Sequence, residues 1–66
     1  MDGAKIREIR RSRNMTQEQF ADELGTSRFI VNRWEAGVHR PNIDSTRKIA
    51  KVAGITIDEL VEEVTE

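Results

Sequence analysis

The sequence predicts an all-α domain of five short helices, and two kinds of observation carry that prediction. Apolar residues recur at three- and four-residue spacings, and helix-capping residues divide the chain at short intervals. No repeat, low-complexity run or strand-like segment interrupts this pattern. With 66 residues, the chain has room for one domain, which we take to span residues 1–66.

The first two helices are bounded by recognisable stop and start residues. A helix over 4–13 carries Ile6 and Ile9 on a narrow apolar stripe. Thr16 to Gln19 then reads as a capping box, in which the threonine hydroxyl and the glutamine amide satisfy each other's backbone N–H groups. The second helix ends at Gly25, where a residue without Cβ can adopt the left-handed conformation.

The third helix follows after a break of about three residues. Ser27 is a suitable N-cap, and the helix is expected to run to about Ala36 and to stop at Gly37. At about 100° per residue, Val31 and Trp34 define its apolar side. Phe29 points away from that side, among side chains that form hydrogen bonds, and therefore requires an explanation.

Two further helices are expected over about 43–64. Asn42 can cap a fourth helix from Ile43 to Ala53, and Thr56 to Glu59 reads as a second capping box that opens the fifth. The residues expected to pack the fourth helix on the core are Ile43, Ile49, Ala50 and Val52.

Residues 16–36 are thus predicted to form two short helices joined by a tight turn. In proteins with this arrangement, the second helix commonly lies in the DNA major groove. The segment MTQEQFADELGTSRFIVNRWEAG resembles the helix-turn-helix of the phage-repressor, Cro or XRE family. PNIDSTRKIAKVAGITIDEL is similar to the fourth and fifth helices of that family. The resemblance covers residues 4–61 and implies a lambda-repressor-like fold and a transcriptional regulator, expected to be a repressor.

The resemblance also implies which residues meet DNA. Gln17 occupies the position that holds a phosphate, and Arg40 that of a loop residue that meets the DNA backbone. The residues expected to reach bases and phosphate from the third helix are Ser27, Arg28, Phe29, Asn32 and Arg33. In the family, Arg10 pairs with the glutamate of the RWE motif, here Glu35, and we interpret that pair as structural.

Base chemistry suggests individual roles on this face. Arg28 or Arg33 can bind guanine O6 and N7, and Asn32 can bind adenine N6 and N7. Phe29 has no hydrogen bond to offer but can pack against a thymine methyl group. The alternative for Phe29 is an ordinary exposed apolar residue.

A homodimer is expected, because one recognition helix covers only a few base pairs. Val61 and Val64 are the candidate interface residues, and the dimer would match a pseudo-palindromic operator with half-sites about one helical turn, about 34 Å, apart. Residues 1–40 hold eight basic against six acidic residues, a net charge of +2, whereas residues 41–66 hold three against six, a net charge of −3. This polarity would turn the acidic end away from phosphate and reconciles a net charge of −1 with DNA binding.

Other function classes are disfavoured. The chain has no cysteine and one histidine, and we find neither a nucleophile with its base nor a metal-ligand cluster, so we expect no enzyme, metal or cofactor. No stretch suits a membrane span or signal peptide, which predicts a cytoplasmic protein. The family resemblance implies a bacterial, archaeal or phage origin. The rival interpretation is a protein-binding module of antitoxin or coactivator type, built on the same fold.

Overall fold

Five helices and no strand make up the part of the chain that the computed structural model describes, residues 2–62 without the side chains of Glu59, Val61 and Glu62. The predicted all-α fold is confirmed. None of the helices in this range is long and apolar enough to cross a membrane. In chain order the helices are α1 (Gly3–Ser12), α2 (Gln17–Leu24), α3 (Arg28–Glu35), α4 (Ile43–Ala53) and α5 (Ile57–Glu62).

The predicted caps set most of these boundaries. The Thr16 hydroxyl accepts the backbone N–H of Gln19 at 3.0 Å, and the Gln19 amide oxygen accepts the N–H of Thr16 at 2.9 Å. Asn42 caps α4 by accepting the backbone N–H of Ser45 at 2.8 Å. Asp2 caps α1 in the same way, by accepting the N–H of Lys5, which the sequence analysis did not foresee.

The core draws on every helix. Each one contributes a completely buried side chain, so that removing any helix would open the centre of the domain. The contributors are Ile6 from α1, Phe20 from α2, Val31 from α3, Ile49 from α4 and Leu60 from α5.

One prediction about α4 is wrong. Ile43 was expected to pack on the core, but 57% of its surface is exposed. Ile43 precedes Ile49 by six residues, which places it about 120° from Ile49 around the helix. The buried residues of α4 are Ile49 and Ala50 instead, and Val52 and Ala53, three residues further along the helix, are partly buried against the core.

The start of α1 lies directly against the end of α3. A Cβ atom added to Gly3 would come within 2.5 Å of the Trp34 carbonyl oxygen and would also collide with the carbonyl of Glu35. Only glycine permits this approach, which brings α1 close enough for its arginines to reach the last turn of α3.

Candidate nucleic-acid interface

The turn between α2 and α3 is fixed by two backbone features. Gly25 ends α2 in the left-handed conformation, with φ of 70°, and its N–H returns to the carbonyls of the last turn. The Ser27 hydroxyl accepts the backbone N–H of Ile30 at 3.3 Å and so begins α3. Both features agree with the sequence analysis, and they determine the angle at which α3 leaves α2.

The inner side of α3 is locked into the core. Val31 is completely buried and Trp34 nearly so, and Ala21 of α2 is buried opposite them. Ala21 is buried where α2 packs on α3, so a larger side chain there is expected to disturb this close packing. The rotation of α3 about its own axis is therefore set by its apolar side.

The outer side of α3 consists of the side chains that the sequence analysis assigned to DNA. Phe29 is 70% exposed, and no neighbouring helix covers the others. Arg40 is exposed in the loop between α3 and α4. The exposed residues of this surface, which we call the outer face, are Ser27, Arg28, Phe29, Asn32 and Arg33.

Phe29 and Arg33 contact each other on the outer face. The Cζ atom of Arg33 lies 5.7 Å from the centroid of the Phe29 ring, the separation of a cation–π pair. The sequence analysis treated the two residues separately. Their four-residue spacing in a helix was the signal that could have predicted the contact.

Glu35, at the end of α3, gathers polar side chains from two other helices. Arg10 of α1 donates from Nε at 2.7 Å and from Nη2 at 3.1 Å to the two carboxylate oxygens. Arg7 donates to Glu35 at 3.4 Å, and Gln17 of α2 donates from Nε2 at 3.2 Å. Arg10 also donates from Nη1 to the Met15 carbonyl at 2.8 Å, so one mostly buried guanidinium joins α1, α3 and the segment before α2.

Glu35 keeps its charge although its side chain is buried. Burial of the side chain raises the pKa of its carboxyl group, but hydrogen bonds from Arg10, Gln17 and Arg7, together with the positive charge of Arg10, outweigh that effect. The net pKa of Glu35 lies below its ordinary value. The hydrogen bond to Glu35 correspondingly raises the pKa of Arg10, although burial opposes it.

Gln17 connects this buried cluster to the outer face. Because a carboxylate only accepts hydrogen bonds, the Gln17 amide must turn its NH₂ group toward Glu35 and its oxygen outward. That oxygen accepts from Nδ2 of Asn32 at 3.5 Å. Resemblance alone assigned Gln17 to a phosphate; in the structure its NH₂ group is directed inward.

A small hollow lies where α2 meets the outer face. Its volume is about 260 Å³, and it is lined by Gln17, Arg28, Phe29 and Asn32. Hydrogen-bond donors and acceptors therefore surround one aromatic ring at a concave surface, an arrangement that can hold the edge of a base.

Neither side chain expected at the dimer interface belongs to the described residues. The side chain of Val61 and the whole of Val64 lie outside the described residues. Leu60 is completely buried and belongs to the core, and Ile57 is half-buried.

In the described range, no cluster of three or more histidine, aspartate or glutamate side chains could hold a metal ion.

The sequence pattern of the helix-turn-helix family matches residues 6–60, which is most of the chain. This chain belongs to that family. The match includes all four helix junctions, and it confirms the resemblance to XRE-type regulators that the motifs indicated.

Three relatives illustrate this helix-turn-helix family. The chain is 42% identical over 57 residues to the HTH-type transcriptional activator BcrR of Enterococcus faecalis, covering 86% of the chain. It is 34% identical over 61 residues to the cryptic phage CTXphi transcriptional repressor RstR of Vibrio cholerae, covering 92% of the chain. An uncharacterized HTH-type transcriptional regulator of Methanocaldococcus jannaschii is 36% identical over 56 residues, which are 85% of each chain.

The domain makes up a different fraction of the length of each relative. It spans 28% of the length of the Enterococcus activator and 55% of the Vibrio repressor. All three are named as transcriptional regulators, which agrees with the expectation that the domain is not an enzyme.

Proposed function

We propose that this domain binds double-stranded DNA in a sequence-specific manner and serves in transcription regulation in the cytoplasm. The observation that carries the proposal is the division of α3 into two sides. Val31, Trp34 and Glu35 are buried, while the outer face is exposed and rich in groups that can read bases. Such a helix is rigidly oriented and yet free to enter a major groove.

Each residue of the outer face has a role that suits its chemistry. Arg28 and Arg33 supply the paired donors that match guanine O6 and N7. Asn32 offers the amide donor and acceptor that adenine requires, while Phe29 offers an apolar ring to thymine. Ser27 and Arg40 complete the contacts at phosphate, where basic and hydroxyl groups set the register of a protein on the duplex.

Gln17 contributes at the start of α2. The first turn of a helix favours an anion, because its backbone N–H groups are unpaired and its dipole is positive at that end. A primary amide has two N–H donors, and Glu35 accepts one of those of Gln17, so this proposal assigns the second to a phosphate.

The functional assembly in this proposal is a homodimer on a pseudo-palindromic operator, with contacts near Val61 and Val64. Two copies related by a two-fold axis would place their α3 helices about 34 Å apart, one helical turn of DNA. We expect repression, as for the Vibrio relative, because a dimer on an operator blocks access of other proteins. A reporter assay with the operator beside a promoter decides between repression and the activation for which the Enterococcus relative is named.

The test is selection of bound duplexes from a randomised pool, followed by affinity measurements over a series of salt concentrations. We expect a palindromic sequence to be enriched and the affinity to fall steeply with salt as phosphate contacts release counterions. Asn32→Ala should weaken the preference for one base at a single position of the site. The free-energy difference between the preferred base and the others there should fall by roughly 1–3 kcal/mol. Arg11→Ala, which changes an exposed side chain of α1, is the matched control and should keep the preference.

A selection that enriches no sequence would refute the proposal. In that case Phe29, Val38 and Ile43, the exposed large apolar side chains of the described range, would favour the protein-binding role of an antitoxin or coactivator. Sedimentation of the free protein and of its DNA complex tests the dimer separately from sequence preference.

A further inference from the structure

Phe29 and Arg33 form a pair that stands apart from the core. Phe29 leaves 70% of its surface exposed, and the Arg33 guanidinium carbon lies 5.7 Å from its ring centroid. Neither side chain contributes to the buried cluster around Glu35 or to the apolar core. The pair is thus a feature of the outer face alone.

Helix geometry places both groups at one level of α3. Arg33 follows Phe29 by four residues, and side chains in a helix lean toward its N-terminus. The guanidinium is thereby carried back over the ring instead of reaching a separate part of the surface. Because bases stack about 3.4 Å apart along a strand, two groups in contact meet the same base pair or adjacent ones.

The two groups remain chemically available while they touch. The Arg33 guanidinium carbon lies 5.7 Å from the ring centroid, and the N–H donors of a guanidinium lie in its own plane, so they can still bind guanine O6 and N7. The ring edge of Phe29 stays open to an apolar contact. In the major groove, that contact is the C5 methyl group of thymine, and 5-methylcytosine carries a methyl group at the same position of its ring.

We propose that Phe29 and Arg33 act as one coupled unit that reads a 5-methylpyrimidine in the base pair adjoining a guanine. The methyl group packs against the Phe29 ring, which also holds the Arg33 guanidinium at the guanine edge. This specificity rests on the proposed DNA binding of the outer face. A consequence is that methylation of a cytosine at this position strengthens binding.

The first test changes only the DNA. In the enriched duplex, each thymine is replaced in turn by uracil, which removes one methyl group and no hydrogen-bonding group. One replacement, beside a guanine, should weaken binding about three- to fivefold, the effect of one buried methyl group. At that position, a 5-methylcytosine–guanine pair should bind more tightly than an unmethylated cytosine–guanine pair by a similar factor of about three to five.

The second test changes the protein. Phe29→Ala should bind the thymine and uracil duplexes equally well, and it should also reduce the loss caused by 7-deazaguanine at the neighbouring position. Phe29→Ala and Arg33→Ala should therefore be non-additive in a double-mutant cycle. Arg40→Ala combined with Phe29→Ala is the control, and there the two losses should add because Arg40 lies in a separate loop.

The outcomes separate this inference from the function on which it rests. Absence of any enriched sequence refutes both. Enrichment with no uracil effect at any position, or additive losses for Phe29→Ala and Arg33→Ala, refutes the coupled unit and leaves sequence-specific binding intact. The uracil series uses the unaltered protein, so it tests the methyl contact even where a variant folds poorly.

Discussion

Arg10 and Arg33 contact very different partners, and the contrast separates the framework of the domain from its candidate interface. The Arg10 guanidinium is nearly buried, and it donates twice to Glu35 and once to the Met15 carbonyl. Arg33 is exposed and lies over the Phe29 ring, with no ion pair among the described residues. Three of the five N–H donors of Arg10 are occupied within the protein, whereas the Arg33 guanidinium forms no hydrogen bond with the part of the chain that the structure describes.

The difference shows how the same side chain serves two purposes. Glu35 neutralises Arg10 and accepts two of its five N–H donors, and the Met15 carbonyl accepts a third, so the contact between α1 and α3 is specific. An aromatic ring orients Arg33 without using its N–H groups. Stability is therefore expected to depend on the first arginine and DNA recognition on the second.

The largest expected effect on stability is that of Arg10→Ala. Removing one partner of a buried ion pair leaves Glu35 without its main donors, and such changes cost about 3–5 kcal/mol. Arg33→Ala, the matched control, should change the free energy of unfolding by less than about 0.5 kcal/mol because Arg33 is exposed. Denaturation in urea at low temperature measures both.

Arg10→Lys sharpens this comparison. Lysine retains the positive charge but lacks the planar fork that binds both oxygens of Glu35, so an intermediate loss is expected. Equal stability of Arg10→Ala and Arg33→Ala would contradict the division between framework and interface.

A smaller loss is expected for Gly3→Ala. The new Cβ atom would collide with the carbonyl oxygens of Trp34 and Glu35, so α1 must move away from α3, and overpacking of this kind costs about 1–3 kcal/mol. Ala4→Ser, at the adjacent exposed residue, is the control and should be nearly neutral. A Gly3→Ala protein as stable as the unaltered one would show that this close approach is dispensable.

The smallest of these effects is the dependence of stability on pH. The folded pKa of Glu35 is lowered, so between that pKa and the ordinary pKa of a glutamate in the unfolded chain, the unfolded chain binds more protons. The stabilisation from Glu35 is complete above the unfolded pKa and is lost as pH falls through the folded pKa. Acidification from pH 7 to 3 should therefore narrow the stability difference between the unaltered protein and Glu35→Gln, measured by urea denaturation. A difference independent of pH would show that Glu35 does not titrate.

The helix boundaries could be predicted because local chemistry determines them. Thr16, Ser27 and Asn42 cap helices with their own side chains, and Gly25 ends one through its backbone conformation. These signals act within four residues of the chain, so no knowledge of tertiary structure is needed to read them. The outer face followed from the helical period for the same reason.

Contacts between distant segments of the chain were harder to predict from the sequence. Gly3 appeared unremarkable in sequence, because its closeness to α3 arises only when α1 packs there. The donation from Arg7 to Glu35 and that from Gln17 to Glu35 depend on the same packing. Family resemblance implied the Arg10 contact, but a resemblance of motifs carries no information about which other side chains converge.

The buried carboxylate at the end of α3 affects how the DNA preference can change between related proteins. Because Glu35 and its donors hold the helix from within, the outer-face side chains other than Asn32, which bonds Gln17, can be exchanged without altering the interior. One inherited framework can thus accommodate many recognition surfaces. Phe29 and Arg33 would be the exception, since partners that support each other are expected to change together during evolution.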